Sequence, residues 1–514
     1  MQRRTGALRR SAYVRAELPR KEESVKNKIQ LMASARFLAP SAVLETGVKK
    51  GQQTILDQPS APKTGGAETA LASPSPLISE RAESLAGEAV LPGDKSISHR
   101  ALIFGALAVG ETWVRGLLEG DDVMATAGAL REYGVELESD GPGKWRIWGV
   151  GVGGFAEPAR PLALGNAGTA VRLLMGVAAG HGFTSFFTGD DSLLSRPMKR
   201  VADPLTRMGA VITARSACRL PLALTGTSDL LPISYTLPVA SAQVKSAILL
   251  AGLAAPGETS VIEPAPSRDH SERMLRHFGA EVRLEEEAAG GRKITLVGQP
   301  ELSAAELSVP ADISSAAFPL AAALLVPGSR ILLKNVGINP LRCGLLECAR
   351  EMGGDIEILE RRELSGEPVA DIAVSAGKLR AIDVPAARAP SMIDEYPILA
   401  ILAACAEGTS RMRGLGELRH KESDRFTAIV DGLEACGASV VAEQDDLLIT
   451  GTGAPPPGGA HIASRLDHRI AMAFLVLGMV SRDGVTIDDG TPIATSFPGF
   501  VELMNNLGGQ IKDV

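Results

Sequence analysis

The chain has 514 residues, of which 45% are hydrophobic and 22% are charged, so it is long enough for two to four globular domains. Its net charge of −7 argues against a nucleic-acid partner, and no apolar run approaches the ~18 residues that a membrane-spanning helix needs. Five cysteines without paired spacing argue against a disulfide framework or a thiolate metal site, and they favour a reducing compartment, the cytoplasm.

The N-terminal segment differs from the rest of the chain in charge. Residues 1–72 contain 13 Lys and Arg against 6 Asp and Glu, and they lack sustained hydrophobic periodicity. This composition predicts a disordered N-terminal extension over residues 1–72. Two interpretations of its origin stay open: an Arg-rich transit peptide, and a coding sequence that truly starts at Met32, which is the favoured one.

The rest of the chain is built on a repeat. An apolar segment of helical length is followed by a glycine and a short β-rich stretch, and this pattern occurs six times. The intervals between the glycines are 72, 75, 71, 80 and 76 residues, which predicts six copies of one α/β unit, three in each half. We expect each glycine to end its helix in the left-handed conformation. The glycines are Gly110, Gly182, Gly257, Gly328, Gly408 and Gly484.

The six apolar segments are predicted to be buried helices. They are apolar on nearly all sides, so sheets must cover them. Aromatic residues make up only 4% of the chain, and small residues must therefore let the backbones pack closely. A hinge between the halves is expected near Leu307–Ile313, where Pro310 interrupts the pattern.

Polar residues stand at the start of most of these helices. Helix N-termini present unpaired N–H groups and a partial positive charge, which suit phosphate and carboxylate ligands. A cation there opposes the helix dipole unless an anion lies between them. If the helices of each half run in the same direction, these ends meet in a cleft for a multiply anionic ligand. The set includes Lys95, Ser96, Arg100, Asn166, Gly168, Ser241, Gln243, Lys245, Asp394, Glu395, Asp467, His468 and Arg469.

A second candidate is the charged segment RHKESDR. Lys421 and Arg425 are four residues apart and would share one helix face, with Glu422 beside them. Two cations near one carboxylate suit proton transfer on a phosphorylated ligand. By contrast, GDKSISHR lacks the glycine spacing of a nucleotide-binding loop, and the seven histidines show no metal-binding spacing.

Nine motifs resemble the 5-enolpyruvylshikimate-3-phosphate (EPSP) synthase family over about residues 75–512, in the family's order. SRDHSE, MIDEYP and KESDR resemble its class II branch. The resemblance implies an α/β (α+β) fold with two lobes, each of three βαβαββ units with buried parallel helices. It implies a C-terminal-type lobe over residues 73–93 and 313–514, an N-terminal-type lobe over 94–312, and an active site in the cleft between them. The motifs are LPGDKSISHR, LGNAGTAVR, TGDDSLLSRPM, ASAQVKSA, SRDHSE, MIDEYP, LRHKESDR, LDHRIAM and ATSFPGF.

The resemblance also implies a reaction. It transfers the enolpyruvyl group of phosphoenolpyruvate to the 5-hydroxyl of shikimate 3-phosphate, on the route to chorismate and the aromatic amino acids, in a monomer without cofactor or metal. The implied catalytic residues are Asp394, as base toward the hydroxyl, and Glu422 with Lys95, as proton donor and acceptor. The implied contacts of phosphoenolpyruvate are Lys95, Gly168, Arg196, Gln243, Arg425 and Arg469. Those of shikimate 3-phosphate are Ser96, Arg100, Ser241, Ala242, Gln243, Arg268, Asp394 and Lys421.

Two positions depart from the family pattern. Thr495 stands where many members carry a lysine, which puts a phosphate contact there in doubt. Gly168 stands where glyphosate-tolerant class II members often carry alanine. We therefore expect this chain to be more sensitive to glyphosate than typical class II enzymes, because glycine leaves room for the inhibitor.

Three other functions fit parts of the sequence. The sister enzyme, UDP-N-acetylglucosamine 1-carboxyvinyltransferase, shares the fold but usually needs a cysteine in a mobile loop of the first lobe. Cys218, the one cysteine of that lobe, lies outside such a context. RNA 3′-phosphate cyclase has related units but needs a nucleotide and a catalytic histidine. A repeat scaffold that only binds anionic metabolites would be favoured if Lys95, Asp394 and Glu422 failed to converge.

Overall fold

A computed structural model describes residues 74–287 and 290–514. The predicted disordered extension over residues 1–72 lies outside the described residues. Within them, no helix is long and apolar enough to cross a membrane. The α-helices of the described residues are α1 (Lys95–Leu107), α2 (Asp121–Glu132), α3 (Gly168–Ala179), α4 (Asp191–Ser195), α5 (Lys199–Met208), α6 (Ala242–Gly252), α7 (His270–His277), α8 (Ile313–Leu325), α9 (Gly344–Glu351), α10 (Tyr396–Cys405), α11 (Arg425–Ala435), α12 (His468–Gly478) and α13 (Phe500–Asn506).

The strands of the same residues are short. They are β1 (Leu77–Glu80), β2 (Ala86–Ala89), β3 (Val109–Arg115), β4 (Glu136–Ser139), β5 (Lys144–Val150), β6 (Leu162–Ala163), β7 (Thr184–Thr188), β8 (Val211–Arg215), β9 (Arg219–Thr225), β10 (Ser234–Thr236), β11 (Glu258–Glu263), β12 (Val282–Glu286), β13 (Arg292–Val297), β14 (Glu306–Ser308), β15 (Arg330–Gly337), β16 (Asp355–Leu364), β17 (Glu367–Ser375), β18 (Asp383–Val384), β19 (Glu407–Met412), β20 (Ser439–Glu443), β21 (Asp446–Thr452), β22 (His461–Ile462), β23 (Val485–Ile487) and β24 (Gln510–Asp513).

These strands form six four-stranded sheets that share one pattern. In each sheet a parallel pair is extended by two antiparallel strands. The predicted repeat of six α/β units is therefore confirmed. The strand orders are β14-β3-β5-β4, β6-β7-β9-β8, β10-β11-β13-β12, β16-β17-β15-β2, β18-β19-β21-β20 and β22-β23-β1-β24.

The units are grouped around two hydrophobic cores. One core, which we call the first lobe, draws its residues from Ile97 to Val309. The other, the second lobe, combines residues from Leu77 to Leu91 with residues from Ala311 to Ile511. The chain therefore passes between the lobes twice. The two crossing segments pair with each other through an antiparallel bridge between Gly93 and Ala311.

The six predicted helices are buried as expected. In α8, every residue from Ile313 to Leu324 is buried, although the helix contains Pro319. Close backbone packing explains the small residues. A Cβ added to Gly176 of α3 would lie 2.8 Å from the Cα of Ala247 in α6, so a larger residue would separate these two helices.

The expected role of the six glycines was wrong. The helices end before the glycines, and Gly110 and Gly408 lie inside β3 and β19 with φ angles of 107° and 102°. Such angles favour glycine, because a Cβ is strained there. Gly257, Gly328 and Gly484 also have positive φ angles but lie before the next strand, and Gly182 does not have one, so no single role covers all six.

Candidate active site

Carboxylate caps hold the first turns of two buried helices in place. Asp94 accepts a hydrogen bond from the Ile97 amide (2.9 Å) at the start of α1, and Lys95 is the first residue of that helix. Asp467 accepts one from the Arg469 amide (3.0 Å) at the start of α12. Each cap satisfies an unpaired helix N–H group and leaves a cation in the first turn.

Asp394 lies at the centre of a group of cations from both lobes. Its Oδ2 lies 2.6 Å from Arg268 Nη2, which belongs to the first lobe. Its Oδ1 lies 3.2 Å from Lys421 Nζ and 3.1 Å from Arg425 Nη1 of its own lobe. The Arg469 guanidinium donates to the Asp394 backbone carbonyl at 3.3 Å. Four predicted cations from three segments therefore converge on Asp394, three of them on its carboxylate and Arg469 on its backbone carbonyl.

The charges around Asp394 control its protonation. Burial by itself would raise the pKa of this carboxyl, but Lys421, Arg268, Arg469 and Arg425 together hold the pKa well below its usual value. Opposite charges at hydrogen-bond distance favour the charged form. Asp394 is therefore a carboxylate at neutral pH and accepts hydrogen bonds.

Arg425 connects Asp394 with two further carboxylates. It is the first residue of α11 and fully buried, and its Nε donates to Asp467 Oδ2 at 2.8 Å. Its Nη2 lies 2.6 Å from Glu422 Oε2, an ion contact without hydrogen-bond geometry. Burial lowers and the carboxylates raise the pKa of Arg425, with a net increase. Lys421 and Arg425 do not share a helix face, because α11 begins only at Arg425.

Glu422 faces cations of the first lobe. Burial would raise its pKa, but Arg425, His468, Arg196 and Lys95 hold it well below its usual value. Lys95 Nζ lies 2.9 Å from Asp122 Oδ2. The three predicted catalytic residues thus belong to one electrostatic cluster, and the scaffold interpretation loses the condition that would have favoured it.

Neutral oxygens hold the cations next to α3. Arg196 Nη2 donates to Ser192 Oγ at 2.9 Å and also to Asn166 Oδ1. Arg172 Nη1 donates to Gln243 Oε1 at 2.8 Å, and Gln243 Nε2 donates to the Thr169 hydroxyl. Within the part of the chain that the structure describes, these two arginines donate only to uncharged oxygens, and Glu422 is the carboxylate whose charge reaches them.

Gly168 opens α3 directly beneath these two arginines. A Cβ at this position would lie 2.9 Å from Arg172 Nη1 and 3.0 Å from Arg196 Nη1. The absence of a side chain therefore lets both guanidinium groups approach the N-terminus of α3.

The remaining predicted contacts lie in or beside α1 and α6. Arg100 is buried, and it donates to Ser271 Oγ and Ser246 Oγ, both at 2.8 Å, and to the Ser96 carbonyl at 2.9 Å. Its bonds join three helices of the first lobe. Ser241 caps α6 by accepting from the Val244 amide at 3.5 Å, and Ala242 is the first residue of that helix.

Four residues of the cluster are not among the substrate contacts that the resemblance implies. Arg172 lies one helical turn after Gly168, and Asp122 follows Gly120 in a pair of aspartates that opens α2. His468 is buried, and its pKa falls to about 3 because of burial, Lys95 and Arg469. Thr495 Oγ1 lies 3.4 Å from His468 Nδ1. Arg172, His468 and Thr495 lie inside motifs that carry the resemblance, whereas Asp122 had no signal beyond its residue type.

The cluster can bind anions and move protons. Its cations outnumber its carboxylates, and both lobes contribute them. No group of three or more His, Cys, Asp and Glu residues is arranged to hold a metal ion within residues 74–287 and 290–514. The cations are Lys95, Arg172, Arg196, Arg268, Lys421, Arg425 and Arg469, and the carboxylates are Asp122, Asp394, Glu422 and Asp467.

Comparison with known proteins indicates one enzyme family. The sequence model of EPSP synthase (3-phosphoshikimate 1-carboxyvinyltransferase) matches residues 80–504. The chain is 62% identical to the 3-phosphoshikimate 1-carboxyvinyltransferase of Paramagnetospirillum magneticum over 437 residues, which are 85% of this chain and 98% of the relative. It is 60% identical to the enzyme of the same name from Rhodospirillum rubrum, with the same coverage of 85% and 98%.

Solved structures share the fold. The EPSP synthase of Acinetobacter baumannii is 44% identical, with a TM-score of 0.77 over 86% of this chain and all of that one. The enolpyruvyl transferase NikO of Streptomyces tendae, at 17% identity, has a TM-score of 0.67 over 86% of this chain and 99% of its own. The match to the family model covers most of the chain and includes the ion cluster. The chain therefore belongs to the EPSP synthase (3-phosphoshikimate 1-carboxyvinyltransferase) family.

Proposed function

We propose that the chain transfers the enolpyruvyl group of phosphoenolpyruvate to the 5-hydroxyl of shikimate 3-phosphate and releases phosphate. Family membership supports this reaction, and so do the names of the relatives. The observation that carries it is the ionised Asp394, surrounded by cations of both lobes. Both substrates carry a phosphate and a carboxylate, and such a cluster can neutralise them.

The cations divide between the two substrates. We assign Lys95, Gly168, Arg196, Gln243, Arg425 and Arg469 to phosphoenolpyruvate. Shikimate 3-phosphate is assigned to Ser96, Arg100, Ser241, Ala242, Gln243, Arg268, Asp394 and Lys421. The positions of Arg196 and Arg268 support the division, because Arg196 lies beside α3 and Arg268 lies beside Asp394.

Asp394 acts as the base toward the 5-hydroxyl. A carboxylate with a strongly lowered pKa is a weak base as long as its cations face it. When the anionic groups of shikimate 3-phosphate engage Arg268 and Lys421, these cations stabilise the Asp394 carboxylate less, and its pKa rises. Substrate binding thus makes Asp394 a better proton acceptor at the moment when the hydroxyl arrives.

Lys95 and Glu422 handle the proton at the methylene carbon of phosphoenolpyruvate. Because the pKa of Glu422 is held low, Glu422 is ionised before the reaction, and we assign the role of proton donor to Lys95. Protonation of the methylene develops positive charge on the neighbouring carbon, which the 5-hydroxyl oxygen attacks. The tetrahedral adduct then loses phosphate from its central carbon and a proton from its methyl group, which restores the C=C bond. The pair must therefore also accept a proton.

The proposal extends to the arrangement of the chain. The second lobe spans residues 73–93 and 313–514, the first lobe spans 94–312, and the active site lies in the cleft between them. The chain works as a cytoplasmic monomer and needs no cofactor, and glyphosate inhibits it.

A phosphate-release assay tests the reaction. We expect the purified chain to release inorganic phosphate only when shikimate 3-phosphate and phosphoenolpyruvate are both present, and addition of a chelator should not change the rate. Replacement of shikimate 3-phosphate by UDP-N-acetylglucosamine tests the alternative transferase. Release with the nucleotide sugar but not with shikimate 3-phosphate would contradict the proposal. Burial and Asp203 raise the pKa of the Cys218 thiol, which disfavours the reactive cysteine that the alternative usually needs.

A further inference from the structure

A second group of contacts joins the two lobes immediately after Arg268. His270 opens α7 in the first lobe, and Glu367 opens β17 in the second lobe. His270 Nδ1 lies 2.7 Å from Glu367 Oε1, and both side chains are buried, with exposed fractions of 2% and 5%. This contact lies outside the ion cluster around Asp394, and the reaction described above does not use it.

Asn339 strengthens the same junction from the second lobe. Its Nδ2 donates to Asp269 Oδ1 at 2.6 Å and to Glu367 Oε2 at 3.2 Å. Its own Oδ1 accepts from the Leu341 amide at 3.0 Å, which fixes the orientation of the side chain. The buried amide of Asn339 therefore contacts both Asp269 of the first lobe and Glu367 of its own lobe.

Arg273 completes the junction one turn along α7. Its Nε donates to Asp269 Oδ1 at 2.9 Å, and its Nη1 donates to the Gly366 carbonyl of the second lobe at 2.9 Å. We call this set of Asp269, His270, Arg273, Asn339 and Glu367 the interlobe junction. Its members come from one short segment of the first lobe and two of the second lobe.

Burial distinguishes the junction from the ion pair between Arg200 and Glu417, which also joins the lobes. Arg200 Nη2 also reaches across, to Glu417 Oε1 at 3.3 Å, but both side chains are more than half exposed. Exposed ion pairs contribute little free energy, whereas a buried carboxylate without its partners is costly. Loss of His270 would leave Glu367 buried with fewer donors, so the junction has a measurable effect on how the lobes meet.

We propose that His270 and Glu367 are positioning residues for the shikimate 3-phosphate subsite. They dock the segment Asp269–His270 on the second lobe and thereby align Arg268, the preceding residue, with Asp394 across the cleft. This inference rests on the proposed function, because it takes Arg268 and Asp394 as contacts of that substrate. His270 itself is not a catalytic residue, since it lines a cavity of about 10 Å³ with apolar side chains such as Ile97 and Met274.

Three variants test the role of His270. His270→Ala removes the donor, and His270→Asn places an amide N–H close to the position of Nδ1. His277→Ala is the matched control, because His277 lies on the same helix but bonds to the Glu306 carbonyl within the first lobe. The assay is phosphate release, with the KM of each substrate measured separately, alongside the melting temperature of each variant.

We expect His270→Ala to raise the KM for shikimate 3-phosphate about tenfold, the loss typical of one hydrogen bond to a charged group. The KM for phosphoenolpyruvate should change less. His270→Asn should recover most of the loss, and His277→Ala should resemble the wild type. Glu367→Gln combined with His270→Ala should be no worse than the poorer single variant, because both act through one contact.

Two results would overturn the inference: an unchanged KM for shikimate 3-phosphate in folded His270→Ala, or a folded His270→Asn that recovers nothing. If His270→Ala does not fold, the KM for shikimate 3-phosphate is measured in His270→Asn and Glu367→Gln instead. An unchanged KM in both variants overturns the inference. A wild-type chain that releases no phosphate would instead refute the proposed function, so the two failures are distinguishable.

Discussion

Two regions of the site hold their cations in different ways. Near α3 of the first lobe, Arg196 and Arg172 donate to hydroxyl and amide oxygens, which carry no charge. In the second lobe, Arg425 and Lys421 pair with the carboxylates of Asp394 and its neighbours. Cations with neutral partners remain available to an anionic ligand, whereas ion-paired cations keep carboxylates ionised. Lys95 and Arg268 of the first lobe are ion-paired as well, so the contrast separates the arginines beside α3 from the cations next to Asp122 and Asp394.

The largest effect should come from Asp394. Asp394→Ala removes the base, so we expect kcat to fall by about 10²–10⁴-fold while shikimate 3-phosphate still binds. Asp394→Asn, which preserves the shape, should lose nearly as much, because an amide cannot accept the proton. Phosphate release measures kcat, and calorimetric titration measures the binding of shikimate 3-phosphate. A near-normal kcat in either variant would reject the role of Asp394.

The different partners of Arg425 and Arg196 predict unequal effects of their substitution on stability. Arg425→Met leaves the buried Asp467 without its main partner, so we expect a loss of about 3–5 kcal/mol in the free energy of unfolding. Arg196→Met removes bonds to neutral oxygens and should cost about 1 kcal/mol, but it should raise the KM for phosphoenolpyruvate. Urea unfolding measures the free energy of unfolding, and phosphate release measures the KM for phosphoenolpyruvate. Equal losses of stability would contradict the comparison.

A smaller effect is expected at Gly168. In Gly168→Ala the new methyl group meets the ends of Arg172 and Arg196, which must move by a few tenths of an ångström. A shifted side-chain torsion costs about 0.5–1.5 kcal/mol, so the KM for phosphoenolpyruvate should rise about two- to tenfold. The inhibition constant of glyphosate should rise more, because glycine leaves room for it. An unchanged inhibition constant would count against our expectation of glyphosate sensitivity.

The acid dependence of stability should be the most gradual effect. Asp394 and Glu422 have lower pKa values in the folded chain than their ordinary values of 3.8 and 4.5. They therefore bind fewer protons when folded, and their stabilisation is complete above about pH 4.5 and is lost as the pH falls further. Urea unfolding between pH 6 and pH 3 should show a steeper decline for the wild type than for Asp394→Asn. Parallel curves would contradict this.

The sequence by itself determined the repeat and the cations. Six apolar segments at near-equal intervals predicted six units, and the structure confirms them as six sheets with one strand pattern. Apolar residues on all sides of a helix leave burial as the only stable arrangement, and polar residues at its start indicate an anion site. Local chemistry of this kind can be read from neighbouring residues, as for Lys95 and Arg469.

Only the tertiary structure decided how the charges pair. Arg268 and Asp394 are 126 positions apart and meet because two lobes come together. Asp122 as the partner of Lys95, and Glu367 as the partner of His270, had no signal beyond their residue type. Gly110 and Gly408 also changed role, because the strand after the helix, and not the helix end, requires the unusual backbone angle. Such pairs depend on packing between distant segments, and no local pattern records it.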